Sequence, residues 1–438
     1  MSERLLIAGG TVVDPAAGTA RPGDVRVEDG CVVEVLPPGT ARADGATLVD
    51  ARGLLVLPGL VDMHVHLREP GYEYKETIAT GVAAALAGGF TSLACMANTN
   101  PVNDSAAVTQ YILDRAKVAN GAHVYPIGAL SVGLAGERLA EIGEMHRAGI
   151  VAVSDDGQPV MDAGLMRRAL EYTRLFDLPV IAHEEDRHLA DGGCMNEGVT
   201  SLRLGLRGVP AAAEEVMIAR DIALARLTGG RLHVAHVSTA GGAALVRDAK
   251  ARGLRVTAEV TPHHLFLTEE AVSGYGTNAK VAPPLRTPAD VAALRAALAD
   301  GTIDAIATDH APHHEDEKAV EFEHAANGVV GLETALPLAL RLVAEGVCDL
   351  PTVVARLTVG PAGILGLPAG TLAPGAPADL VLVDRDRKWR VEARKFRSKS
   401  RNTPFEGWEM TGRAVATFVG GRLVCDDRPA AAALRSAS

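Results

Sequence analysis

Short apolar runs alternate eight times with amphipathic stretches of ten or more residues, and this alternation limits the fold more than any other feature of the chain. The candidate strands are 55–66, 91–97, 124–130, 150–155, 179–183, 231–236, 255–260 and 303–308. Helical spacing of apolar residues falls between them, for example at 76–87, 161–175, 211–227 and 288–298. Eight such units in about 300 residues predict a closed (β/α)₈ barrel with the helices outside. A doubly wound sheet is the structural alternative. It is disfavoured because no glycine-rich dinucleotide fingerprint follows the first strand.

The two ends of the chain lack helical periodicity. Residues 1–54 read as short strands joined by Gly/Pro turns, as in "RLLIAGGTVVD" and "DVRVEDGCVVEVLP". Residues 363–438 repeat that style in "ADLVLVDRD", "WRVEA" and "VATFVGGRLV". Neither end is long enough to build a core, so the two are expected to pack together as one small β-sandwich. Residues 55–362 are left as the barrel, and the fold class is α/β.

Net charge is −11, and no block of like charge is longer than a few residues. That argues against nucleic acid and against an anionic membrane surface as partners. No run of eighteen apolar residues occurs, and no basic segment followed by a long apolar stretch opens the chain. The five cysteines form no CxxC pair. Reduced thiols in a cytoplasmic protein are the expectation.

His64-Val65-His66 ends the first barrel strand. Residues i and i+2 of a strand share a face, so both imidazoles are predicted to enter the lumen. Two histidines alone could share a polar cavity without a metal. Further metal-competent residues end later strands: Asp155 and Asp156 after the fourth, His183 at the fifth, His236 at the sixth, Asp309 after the eighth. Adjacent strand residues face opposite ways, so the residues alone leave Asp155 and Asp156 open. Barrel sites form at the C-terminal ends of the strands, where these positions converge. Four imidazoles and two carboxylates suit one or two Zn²⁺ ions. Arg68, two residues beyond His66, can grip a carboxylate bidentately. His233 is expected to face away from His236. Local structural roles are expected for His263, His264, His310 and His314.

The strings "GLVDMHVHLREPGYEYKETI", "MANTNP", "VSDDG", "HEED", "MNEG", "HVAHVSTA", "TAEVTPHHL", "PPLR", "IATDHAPH" and "GLETALPL" run along nearly the whole chain. They resemble the amidohydrolase superfamily, and more closely the bacterial long-chain dihydroorotases. The resemblance implies two metals side by side, bridged by a carboxylate and by a water or hydroxide. His64, His66, Asp156 and Asp309 would hold one, and Asp156, His183 and His236 the other; the family's placement favours Asp156 over Asp155. It implies reversible hydrolysis of dihydroorotate to N-carbamoyl-aspartate, in pyrimidine synthesis, by the bridging hydroxide with Asp309 as general acid/base. Arg68 and Asn98 would meet the substrate carboxylate, His313 its ring, and backbone at Asn327 and Gly328 the substrate as well. A homodimer is implied, and an association with aspartate transcarbamoylase is one the resemblance also allows.

Hydantoinases and allantoinases are the alternative reading, but they bridge their metals with a carboxylated lysine. No lysine occurs between Lys117 and Lys250, so strands four to six supply none. A non-catalytic scaffold for aspartate transcarbamoylase would lose metal ligands, and here each is retained. Two positions depart from the family. Ala282 stands where Asn usually precedes "PPLR", with Asn278 nearby. Ala326-Asn327-Gly328 stands where Pro-Phe-Gly is common, within a charged segment, 315–328, expected to be a mobile lid.

Overall fold

The computed structural model describes residues 4–41, 45–428 and 435–436. Eight parallel strands form the barrel: Leu60–Val65, Phe90–Cys95, His123–Pro126, Val153–Ser154, Pro179–Ala182, Arg231–Val234, Val256–Val260 and Ala305–Ile306. They lie in two ladders, the first three strands in one and the last five in the other. Parallel bridges between Gly128 and Val153, and between Val65 and His310, close the ring. Helices Ile78–Gly88, Ala106–Ala119, Ile142–Ala148, Ala163–Thr173, Ala212–Thr228, Ala240–Ala251, Pro288–Asp300 and Ala335–Ala344 follow the strands in turn.

Local sequence sets the helix ends. Thr77 accepts from Thr80 N at 3.1 Å to start the first helix, and Gly89, at φ 88°, ends it in a left-handed turn. Thr287 caps the helix after the seventh strand, whose first residue is Pro288, and Gly301 closes it. Every residue of Leu60–Val65 is buried, as expected for a strand covered on both faces.

The chain ends build one nine-stranded sheet. Arg4–Asp14, Thr19–Glu28 and Cys31–Leu36 lie on one side, and Leu380–Arg390, Glu409–Val419 and Arg422–Asp426 on the other. Its core includes Ile7, Val25, Val49, Val56, Leu380 and Phe418. The apolar run at 55–66, expected to be one strand, is two. Leu55–Pro58 joins the halves of this sheet, parallel to Arg4–Asp14 and antiparallel to Leu380–Arg390. Leu60–Val65 starts the barrel. The change of sheet falls at Gly59, where a methyl group would lie 2.5 Å from Thr91 Cγ2 and 2.8 Å from Thr91 Cβ. A continuous apolar run carries no periodic sign of such a crossing.

After the last barrel helices, residues 398–402 return across the barrel mouth. Lys399 N donates to Glu76 Oε1 at 3.0 Å, and Ser400 Oγ to Lys75 O at 2.7 Å. The 315–328 segment, expected to be a mobile lid, contains the short helix Glu315–Lys318 and folds back on it, with Ala326 N bonding Glu317 O at 3.0 Å.

Candidate metal centre

His64 and His66 leave the first barrel strand on the same side, as their parity demands. Each ring is fixed from behind. His64 Nδ1 donates to Glu259 Oε1 at 2.6 Å, and His66 Nδ1 to Asn98 Oδ1 at 2.9 Å. Their Nε2 atoms therefore present lone pairs to the lumen. His64 Nε2 is buried without a hydrogen-bond partner, 3.5 Å from both Asp156 Oδ2 and Asp309 Oδ1. His66 Nε2 lies 3.0 Å from Asp309 Oδ1 and 3.5 Å from Asp156 Oδ2.

The second pair faces the same aspartate from the other side. His183 Nδ1 and His236 Nε2 are 3.0 Å apart, at 3.5 and 3.3 Å from Asp156 Oδ1. Asp156 thus offers one oxygen to each histidine pair. Two donor sets result, His64–His66–Asp156 and Asp156–His183–His236, each with its ligand atoms within 4.8 Å of one another. Lone pairs converging on carboxylates repel unless a cation lies between them. Ligands 2.0–2.1 Å from a tetrahedral ion sit roughly 3.3 Å apart, and the spacings here match. The donor set fits divalent metal. Burial opposes the charge on His64, yet Asp156, Glu259 and Asp309 hold its pKa well above the ordinary value. Burial raises the Asp156 carboxyl and His64 lowers it, with a net shift well below the usual carboxylate range.

Asp155 turns away. It accepts from Leu130 N and Ser131 N, each at 2.9 Å, and from Ser131 Oγ. Asp156 alone of the two meets the histidines.

Two acids that sequence reasoning missed hold the metal-competent histidines. Glu259, fully buried on the seventh strand, binds His64, accepts from His236 N at 3.3 Å, and meets His233 Nε2 at 3.2 Å. His233, expected to face away from His236 in a structural role, braces Glu259 and belongs to neither donor set. The sixth strand ends at Val234 and His236 has φ 34°, so strand parity does not extend to it. Asp62 accepts from His64 N at 3.2 Å and from Thr308 N at 3.1 Å, tying the first strand to the eighth. The available signal was a lone acid inside each apolar run.

The predicted substrate residues gather at the mouth. Arg68 Nε donates to Pro312 O at 3.1 Å, and its Nη2 lies 3.3 Å from His313 Nε2. Burial, with the charges of Arg68, Lys75 and Lys318, pushes the His313 pKa down to about 3, so its ring is neutral at pH 7. Gly328 packs against it; a methyl group there would lie 3.3 Å from His313 Nε2 and 2.6 Å from Ala311 Cβ. Asn327 is exposed. Asn98 Oδ1 is engaged by His66, which leaves only its Nδ2 for a substrate. His313 and the exposed Asn278 line one cleft of about 560 Å³. His264, His310 and His314 make local bonds, to Pro283 O, Gly331 N and Asp316 N. His263 Nε2 is buried and unpartnered among the described residues.

Residues 53–241 match a family model described as dihydro-orotase-like, and residues 203–425 one for the amidohydrolase family. The dihydroorotase of Anaeromyxobacter dehalogenans (strain 2CP-1) is 58% identical over 429 residues, spanning 98% of this chain and 99% of that protein. The dihydroorotase of Syntrophotalea carbinolica is 56% identical over 421 residues, spanning 96% and 98%. L-hydantoinase from Arthrobacter aurescens superposes with a TM-score of 0.87 at 27% identity, over 98% of this chain and 97% of that one. Dihydropyrimidinase from Brevibacillus agri, at 22% identity and a TM-score of 0.82, shares the fold. With this identity over nearly its full length, the chain belongs to the dihydroorotases, within the amidohydrolase family.

Proposed function

We propose that this protein interconverts (S)-dihydroorotate and N-carbamoyl-L-aspartate at a zinc centre, as a step of pyrimidine synthesis. The observation that carries the reading is Asp156 offering one oxygen to each histidine pair, beside an arginine–histidine pair suited to an acidic ring. His64, His66, Asp156 and Asp309 would hold one ion, and Asp156, His183 and His236 a second. When bound, such ions supply Lewis acidity and bring the pKa of water to about 7.

The chain's own residues do the rest. Arg68 pairs with the substrate carboxylate and fixes the ring at the mouth. His313, neutral, offers an imidazole to the ring. Burial raises the Asp309 carboxyl, but His64 and His66 hold it below the ordinary carboxylate value. It is therefore ionised at pH 7, ready to take a proton from the attacking water and return it to the leaving ring nitrogen. The same groups run cyclisation in reverse.

A hydantoinase-like activity is disfavoured by the missing lysine. Lys250 donates to Gly301 O, Thr302 O and Asp304 Oδ1, apart from the donor set. A cytoplasmic location, a homodimer and any association with aspartate transcarbamoylase belong to the same proposal; sedimentation of the purified protein, alone and mixed with that enzyme, reads the last two.

The test is ring opening of dihydroorotate by purified protein, chelated and then restored with Zn²⁺, against dihydrouracil and allantoin. Metal-dependent turnover selective for dihydroorotate is expected; zinc-loaded protein that leaves dihydroorotate intact refutes the reading. Asp309→Asn is expected to keep substantial metal and lose about 10²–10⁴-fold in kcat. Near-normal turnover would remove Asp309 from proton transfer.

A further inference from the structure

On that reading of the site, we propose that Asn402 is a positioning residue for substrate, which sets the shape of the loop carrying His313 and Gly328 without touching the reacting atoms. It arrives from the C-terminal part of the chain and is buried, at 4% exposure. Its side chain is fully used. Oδ1 accepts from His313 N at 3.1 Å, and Nδ2 donates to Ala311 O at 2.9 Å and Gly328 O at 3.0 Å. Its backbone oxygen accepts from Val330 N at 2.9 Å.

One carboxamide therefore pins both ends of the 311–328 loop. The neck is short, because Ala311 N also bonds Val329 O at 2.8 Å. Inside the loop, Lys318 Nζ reaches Ala326 O at 2.7 Å and Gly328 O at 3.1 Å. The residues just before Asn402 grip the other substrate-facing loop. Lys399 Nζ donates to Glu73 O at 2.6 Å, and Ser398 and Lys399 bind the Glu76 carboxylate. That loop begins at Arg68. Residues 398–402 thus strap together the two loops that hold Arg68 and His313, and Asn402 is its contact with the second. Removing the side chain takes the partner from His313 N and Ala311 O and leaves Gly328 O with Lys318 Nζ alone, which favours movement of the loop. The Asn402 side chain bonds none of the metal donors; Asp309, the nearest of them in sequence, lies two residues before Ala311.

The experiment uses the zinc-loaded full chain as wild type, Asn402→Ala, Asn402→Asp and, as a remote destabilised reference, His123→Ala. It measures KM and kcat for dihydroorotate, bound zinc, melting temperature, and hydrogen exchange across residues 309–331. Asn402→Ala is expected to keep wild-type zinc, raise KM roughly tenfold or more, change kcat by less than about threefold, and speed exchange in 309–331. Asn402→Asp keeps the acceptor for His313 N but sets a carboxylate oxygen against Ala311 O and Gly328 O, and its KM is expected to rise at least as far. His123→Ala is expected to lower the melting temperature without moving KM. A KM within about twofold of wild type at lowered melting temperature overturns the proposal, as does unchanged exchange. Should wild type leave dihydroorotate intact, the activity reading fails, and exchange in 309–331 alone decides for or against the tie. Should Asn402→Ala not fold, Asn402→Asp carries the same readouts.

Discussion

A histidine that binds metal through Nε2 must keep its proton on Nδ1, and something must hold that proton in place. For His64 the holder is Glu259, which also braces the backbone of His236 and so touches both donor sets. Burial raises the Glu259 carboxyl, but His64 and His233 outweigh it and bring its pKa down to about 2. Glu259→Gln preserves shape and one acceptor but removes the charge. It is expected to weaken zinc binding by about 10–100-fold, read by competition between the metal-free protein and a chelator. Unchanged affinity would end the role. At this scale the metal-competent residues were legible because strand parity and strand ends place them: His64 and His66 by alternation, His183, His236 and Asp309 by position. Glu259 and Asp62 were not, because an acid within a strand reads equally as a solvated edge until its neighbours in space are known. Strand parity left Asp155 and Asp156 open, and the family resemblance favoured Asp156; the hydrogen bonds to Leu130 and Ser131 show where Asp155 turns.

Among elements, the crossing at Gly59 is the point where the two halves of the fold are joined by one residue. Gly59 N donates to Asp379 O at 2.8 Å, and its Cα faces the buried Thr91 side chain. Gly59→Ala forces a methyl group into Thr91 and is expected to cost about 1–3 kcal/mol, measured by chemical denaturation. Thr91→Ala removes Oγ1 and Cγ2 and leaves Cβ at 2.8 Å, so the double variant is expected to recover part of the loss. Strict additivity of the two losses would show that the crossing is not sterically set. The (β/α)₈ order was readable here because helical and strand periods differ. The sheet to which 55–58 belongs was not, because a fully buried strand looks the same in either sheet. Nor did residues 398–402 carry any sign of their role; a polar stretch such as "SKSRN" reads as a solvated loop.

Across the whole molecule, barrel and sandwich share one interior. Val381, Val383, Ala414 and Val419 of the sandwich pack in the same apolar cluster as Leu60, Leu86 and Phe90 of the barrel. Thr417 Oγ1 donates to Leu86 O at 2.8 Å. A polar tie crosses the same seam. His123, opening the third barrel strand, meets Asp379 Oδ2 through Nε2 at 2.9 Å, while Asp379 Oδ1 accepts from Gly420 N at 2.7 Å. The hydrogen bond to Asp379, opposed by burial and aided by charge, raises the His123 pKa above its ordinary value. The unfolded chain then releases this proton first, near pH 6.5. Stability from the pair is therefore complete below about pH 6.5 and is lost as pH rises through the higher folded value. Against His123→Gln, wild type is expected to hold its largest advantage in unfolding free energy near pH 5.5, shrinking by about pH 8.5. An advantage constant across that range would show that the pair's contribution does not depend on charge. Trp389 and Trp408, the only tryptophans, lie in the C-terminal part of the chain, whereas most helix belongs to the barrel. Arg341 of the barrel helix Ala335–Ala344 lies over the Trp408 ring, so fluorescence follows the C-terminal part and its seam with the barrel, and far-ultraviolet dichroism mainly the barrel helices. If the shared interior makes them one cooperative unit, the pH-dependent shift appears in both signals with the same midpoint; a shift confined to fluorescence would mean that the sandwich opens by itself.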